Sequence, residues 1–169
     1  MKFIKFLFEE KENIIVKSPN KCTKKELNSF ANLVNSGGQL SHKLNKDDIK
    51  EFGHLLSFYY ENNKLLSVSA LKIPNKEYKE KVFKEANAEN LMNKYKYESG
   101  WSYTIPEARG KGLIVKLMEG LLKKTKNGVY ATTRISNKAI EKVMEKMKFK
   151  KIGKNFPGMT EPIQVWINK

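Results

Sequence analysis

At 169 residues and 40% apolar content, the chain is long enough for one buried core and too apolar for disorder. No apolar run approaches the ~20 residues that span a bilayer. Cys22 is the single cysteine, so there is no internal disulfide, and with His42 and His54 the only histidines no metal site is expected. The formal charge of +15 invites an anionic partner. Yet 31 of the 33 basic residues are lysines spread along the whole chain, and Asn and Ile are also abundant, which AT-rich coding would equally produce.

Met1 to Phe8 alternates apolar residues with Lys2 and Lys5 and runs into Glu9 and Glu10. It reads as a short strand over 2–8, not as a signal peptide, so a cytoplasmic location is the expectation. A second strand covers 13–17. Thr23 and Glu26 form a capping box that opens a helix with Leu27, Phe30, Ala31 and Val34 on one face, stopped by Gly37-Gly38. Asn45 caps a second short helix that ends at Gly53. His54–Tyr60 and Leu65–Lys72 read as a hairpin across Asn62-Asn63. Pro74-Asn75 opens a helix with Tyr78, Val82 and Phe83 on one side, and 87–94 reads as a loop.

Lys94–Ile105 holds the next strand, ended by Pro106. A turn through Gly110 and Gly112 then enters a helix over 111–126, with Leu113, Ile114, Leu117, Met118, Leu121 and Leu122 as its apolar stripe. Gly128–Arg134 is a strand parallel to its predecessor, because a helix joins them. Ser136 or Asn137 caps a last helix, and Phe149–Lys154 and Ile163–Ile167 are the final strands. A single domain over 1–169 with a mixed α/β sheet follows.

The strand, glycine turn and helix N-terminus over 98–122 make a natural anion site, since the first helical N–H groups lack partners. Gly110 and Gly112 allow close approach, while Arg109 and Lys111 add positive charge. Arg109 and Arg134 are the only arginines, and in so lysine-rich a chain those two positions are the ones that need a planar fork.

Pro106 to Gly112, P-E-A-R-G-K-G, resembles the pyrophosphate motif of the GNAT acyltransferase superfamily. Asn137 to Phe149 resembles a second segment of that superfamily through Asn137, Ala139, Glu145, Lys146 and Phe149, and Glu98 to Trp101 resembles its E-x-G-W. The resemblance implies a mixed, mostly antiparallel sheet flanked by helices, with a splayed parallel strand pair at its centre holding acyl-CoA. It further implies that the backbone of Tyr103, Thr104 and Ile105 pairs with the pantetheine arm. Arg109, Gly110, Lys111, Gly112, Leu113 and Ile114 would hold the pyrophosphate, with Asn137 beside the pantetheine. Three positions depart from the pattern: Ile114 replaces a small residue, Met144 replaces a tyrosine that serves as general acid, and Lys148 replaces a turn glycine.

The reading that follows is transfer of acetyl from acetyl-CoA, without a metal, to a primary amine. The acceptor class stays open among protein, small molecule and nucleic acid; no membrane is expected, and a homodimer is allowed. Glu98 is the candidate base, against a structural carboxylate at a strand entry. Arg134 and Thr133, at the carboxyl end of a parallel strand, are candidates for the acceptor side. The alternatives are a nucleic-acid binder or modifier on the same fold, and a CoA-binding module that has lost catalysis with its tyrosine.

Overall fold

The computed structural model describes residues 13–168; the strand expected over 2–8, within the N-terminal extension 1–10, lies outside them. Seven strands and five α-helices follow in chain order. They are β1 (Asn13–Lys17), α1 (Lys24–Ser36), α2 (Lys46–Phe52), β2 (Gly53–Glu61), β3 (Lys64–Lys72) and α3 (Lys76–Glu85). After them come β4 (Tyr95–Thr104), α4 (Leu113–Lys123), β5 (Gly128–Arg134), α5 (Lys138–Lys146), β6 (Lys150–Pro157) and β7 (Pro162–Ile167). They build one sheet in the order β1-β2-β3-β4-β5-β7-β6. Every neighbouring pair is antiparallel except β4–β5, the α/β arrangement expected from the sequence.

Local chemistry explains most boundaries. Thr23 and Glu26 bond each other's backbone N–H across the start of α1, and Asn45 and Asp48 do the same for α2. Asn62 and Asn63 both take positive φ, the conformation that a two-residue hairpin turn demands. Asn137, not Ser136, caps α5, accepting from the Ile140 N–H.

The central strands of the sheet are covered on both faces. Phe30, Ile49 and Leu56 join α1 and α2 to one face; Met118, Leu121 and Met144 join α4 and α5 to the other. Phe83 of α3 packs on Tyr130 and Val165, on the same side as α1.

Three expectations are corrected. The segment 87–94 is not a plain loop: Glu89–Lys94 winds into a 3-10 turn that delivers the chain to β4. The helix expected over 111–126 is shorter, because Gly112 takes a left-handed φ of 70° and the helix starts only after it. Phe149 belongs to the turn before β6: its N–H bonds the Met144 carbonyl, and Lys148 takes φ 62° where glycine would be at ease.

Candidate functional site

β4 and β5 pair only from Tyr95–Gly128 to Ser99–Ala131. Beyond that level β4 bonds β3 alone and β5 bonds β7 alone, so the two parallel strands diverge into a V. The divergence has a local cause. Between Val68 and Ala70 the β3–β4 register slips, and Trp101 takes φ 49°. A left-handed non-glycine residue costs about 1–3 kcal/mol and must be held by its surroundings; Trp101 packs against the α1 core. The bulge bends β4 away from β5 just above Ser99.

A groove of about 760 Å³ opens from this V toward α4 and α5. Its walls include Ser102, Tyr103 and Thr104 of β4, the Arg109–Gly112 turn, and Asn137 and Ile140 of α5. The first N–H groups of a helix have no intrahelical acceptor, and at the head of α4 no side chain caps them either. Gly110 and Gly112 both have positive φ, and a Cβ at either would meet nothing within 4 Å. The turn is therefore an open cradle of amides with the dipole of α4 behind it. Arg109 is held over it: its Nε donates to the Thr104 carbonyl at 3.2 Å and its guanidinium lies 5.6 Å from the centre of the Tyr103 ring.

The residues singled out from the sequence divide. Thr104 and Arg109, Gly110, Gly112, Leu113, Ile114 and Asn137 line the groove, and so does Tyr103. Ile105 and Lys111 do not. The Ile105 N–H is already bonded to the Leu66 carbonyl, and the Tyr103 carbonyl accepts from Ser67 Oγ. Of the backbone expected to pair with an extended ligand, Thr104 has its carbonyl held by Arg109 Nε. Lys111 instead leans toward Glu61, 3.9 Å away.

Arg134 reaches the groove mouth, where Nη1 donates to Gln39 Oε1 at 2.6 Å. Its hydrogen-bond partner is a neutral amide in the α1–α2 loop, while the Glu161 carboxylate, also in the groove lining, lies close enough to feel its charge. Thr133 does not share the groove. Its hydroxyl accepts from Trp166 Nε1 at 2.7 Å and lines a separate cavity of about 270 Å³.

Glu98 sits at the floor of the V and is only 3% exposed. One carboxylate oxygen meets Lys72 Nζ at 3.0 Å; the other accepts from the Tyr78 hydroxyl at 3.1 Å and from Thr132 Oγ1 at 3.2 Å. Burial together with this negative charge pushes the Tyr78 hydroxyl well above its usual range, and Tyr130 beside it likewise. Lys72 stands directly opposite Glu98 on the neighbouring strand, and its stem lies over Gly100, where a Cβ would stand 2.8 Å from Lys72 Cε and push the stem aside. Lys72 also lies 5.6 Å from the Trp101 ring centre.

Lys72, Tyr78, Thr132 and Gln39 escaped the sequence reading. Lys72 becomes Glu98's partner only through the β3–β4 register, which no local pattern encodes. His54, the histidine nearest a strand, stacks on Tyr97 at 4.0 Å, and burial lowers its pKa. Met144 is buried beneath α5 and presents no proton donor to the groove. Among the described residues no cluster of metal-binding side chains occurs, and no helix is long and apolar enough to cross a membrane.

No protein-family model matches the chain, and no curated protein matches it in sequence. Solved structures do match in fold. An acyl-CoA N-acyltransferase from Pseudomonas aeruginosa superposes with a TM-score of 0.66 at 17% identity, covering 94% of this chain and 99% of that one. An acetyltransferase of the GNAT family from Streptococcus agalactiae gives 0.62 at 13% identity, over 92% and 94% of the two chains. The yncA protein of Salmonella typhimurium, solved with its cofactor acetyl-CoA, gives 0.61 at 11% identity over 91% of each. At these identities the likeness establishes the fold: the chain has the GNAT fold that its motifs resemble.

Proposed function

We propose that the protein is an acyl-CoA-dependent N-acyltransferase that moves acetyl from acetyl-CoA to a primary amine. The observation that carries this is the coincidence of the V between β4 and β5 with the uncapped, glycine-bearing head of α4 in one groove. Extended amides suit the first and a pyrophosphate suits the second. The residues fit such a donor: open space stands above Gly110 and Gly112, and Arg109 is at hand for charge.

Acyl transfer needs the thioester carbonyl oriented, its developing negative charge met by donors, and the attacking amine free of its proton. In this reading β4 backbone above Ser99, unpaired toward β5, binds the pantetheine arm and offers N–H groups to the carbonyl. Glu98 lies beneath, already neutralised by Lys72 and bonded by Tyr78 and Thr132. It orients the floor of the site and takes up the amine's proton through water. Arg134 exchanges its neutral Gln39 partner for an acidic group of the acceptor, since a carboxylate matches the guanidinium fork better than an amide. The C–N bond forms as the C–S bond breaks, and solvent protonates the thiolate because Met144 cannot.

Burial of Met144 also favours a second reading, a CoA-binding module without catalysis. One experiment pair separates the two. Saturating acetyl-CoA should raise the melting temperature, because a ligand that binds only the folded state stabilises it; no rise defeats both readings. Release of free thiol from acetyl-CoA, followed with a thiol reagent across a panel of amines, should then be detected with at least one amine. Binding without release across the panel leaves the module.

A further inference from the structure

The end of the sheet opposite the groove carries an excess of positive charge, six exposed lysines with exposed Glu145 among them. β4, β5 and β6 all start at this end, as the pairings Tyr95–Gly128 and Lys150–Ile167 and the parallel sense of β4 and β5 require. α4 and α5 terminate there. The chain places a lysine at nearly every one of these ends: Lys94 and Lys96 at β4, Lys126 before β5, and Lys146, Lys148 and Lys150 from α5 into β6. All six are exposed. Ion pairs join other lysines to carboxylates across the molecule, but among the described residues none involves these six. Topology therefore gathers lysines that look scattered in sequence.

From this we propose that the end of the sheet formed by β4, β5, β7 and β6 is a docking surface for the phosphate backbone of a double-stranded nucleic acid, bound without sequence reading. β4 and β6 are three strand spacings apart, roughly 14 Å, a stretch over which a duplex presents about eight charges. Point charges on flexible stems, without an arginine among them, suit phosphates and not base edges. No exposed large apolar side chain falls on these four strands or on α4 and α5. The surface thus lacks the stacking platforms that single strands use and the apolar anchors that enter a bilayer.

The test is fluorescence anisotropy with a labelled 24-base-pair duplex of mixed sequence, titrated with the intact protein across a salt series. About five phosphate contacts should weaken binding ~500-fold between 50 and 200 mM salt. The combined substitutions Lys94→Gln, Lys126→Gln, Lys148→Gln and Lys150→Gln should weaken binding at 50 mM more than about a hundredfold and flatten the salt dependence by about one unit of log–log slope per lysine. A control carrying Lys24→Gln, Lys25→Gln, Lys64→Gln and Lys81→Gln removes the same charge elsewhere and should keep nearly full affinity. Equal losses in both variants would reduce the effect to net charge and overturn the proposal. So would absent or salt-insensitive binding. Equal or tighter binding of the labelled single strand, or of phosphatidylserine vesicles in preference to the duplex, would also overturn it. Thermal melts of both variants check that they fold.

Discussion

Removing Lys72 should expose how much the site depends on its buried ion pair. In Lys72→Met the stem that crosses Gly100 is largely preserved in volume, but Glu98 keeps only two neutral donors, Tyr78 and Thr132. Breaking a fully buried pair by removing one partner costs about 3–5 kcal/mol. Lys72 is 20% exposed against 3% for Glu98, so solvent screens part of the loss and about 2 kcal/mol is the expectation. Unfolding entropy for 169 residues is roughly 0.35 kcal/mol/K. The melting temperature should therefore fall by about 6 °C, read by circular dichroism at pH 7. Adding Glu98→Gln removes the stranded charge, so the double variant should recover at least about 1 kcal/mol relative to the sum of the singles. Additivity within about 0.5 kcal/mol would refute the claim that Lys72 neutralises Glu98.

Three further outcomes are expected. Gly112→Ala places a side chain at φ 70° over the open cradle; acetyl-CoA affinity measured by calorimetry should drop about tenfold, with about 1 kcal/mol of lost stability, and unchanged affinity would mean that the α4 head holds no phosphate. Burial pushes the Cys22 thiol up to about 11, so alkylation by iodoacetamide at pH 8 should run roughly a hundredfold slower than for a free thiol and accelerate as pH rises toward 11; a fast reaction at pH 8 would contradict that burial. Lys138 and Lys151 hold the Glu141 carboxyl down at about 2, below its ordinary 4.5. Its stabilising contacts are then complete above the ordinary carboxylate range and lost only as pH falls toward 2, which a carbon-detected NMR titration checks; a midpoint above 4 would show the pairs to be absent in solution.

The fold was legible because its signals are local. The capping box at Thr23, the cap at Asn45, the Asn62-Asn63 turn and the apolar stripe from Leu113 each fix a short stretch through neighbours in sequence. The glycine turn at the head of α4 was legible for the same reason: it is one turn long. What escaped depends on register. Lys72 meets Glu98 only because β3 and β4 align as they do, and Gln39 meets Arg134 across 95 residues of chain. The bulge at Trp101 was equally hidden, since tryptophan has a strong strand preference and nothing in its sequence neighbourhood asks for a left-handed conformation. The lysine surface shows the same limit, since its order exists only once the strand starts are lined up.

The bulge that puts Trp101 out of register also leaves β4 with an inner edge that β5 does not cover, from Gly100 up to the Thr104 carbonyl that Arg109 holds. Sheet edges are ordinarily at the rim, where any extended chain can add to them. This one lies mid-sheet, walled by α4 and α5, so only a slender extended chain can reach it. A short peptide or peptide-like amide with the spacing of a strand should therefore fit the slot. That gives a route to ligands whose selectivity rests on the backbone geometry of one strand, leaving the glycine turn at the head of α4 untouched.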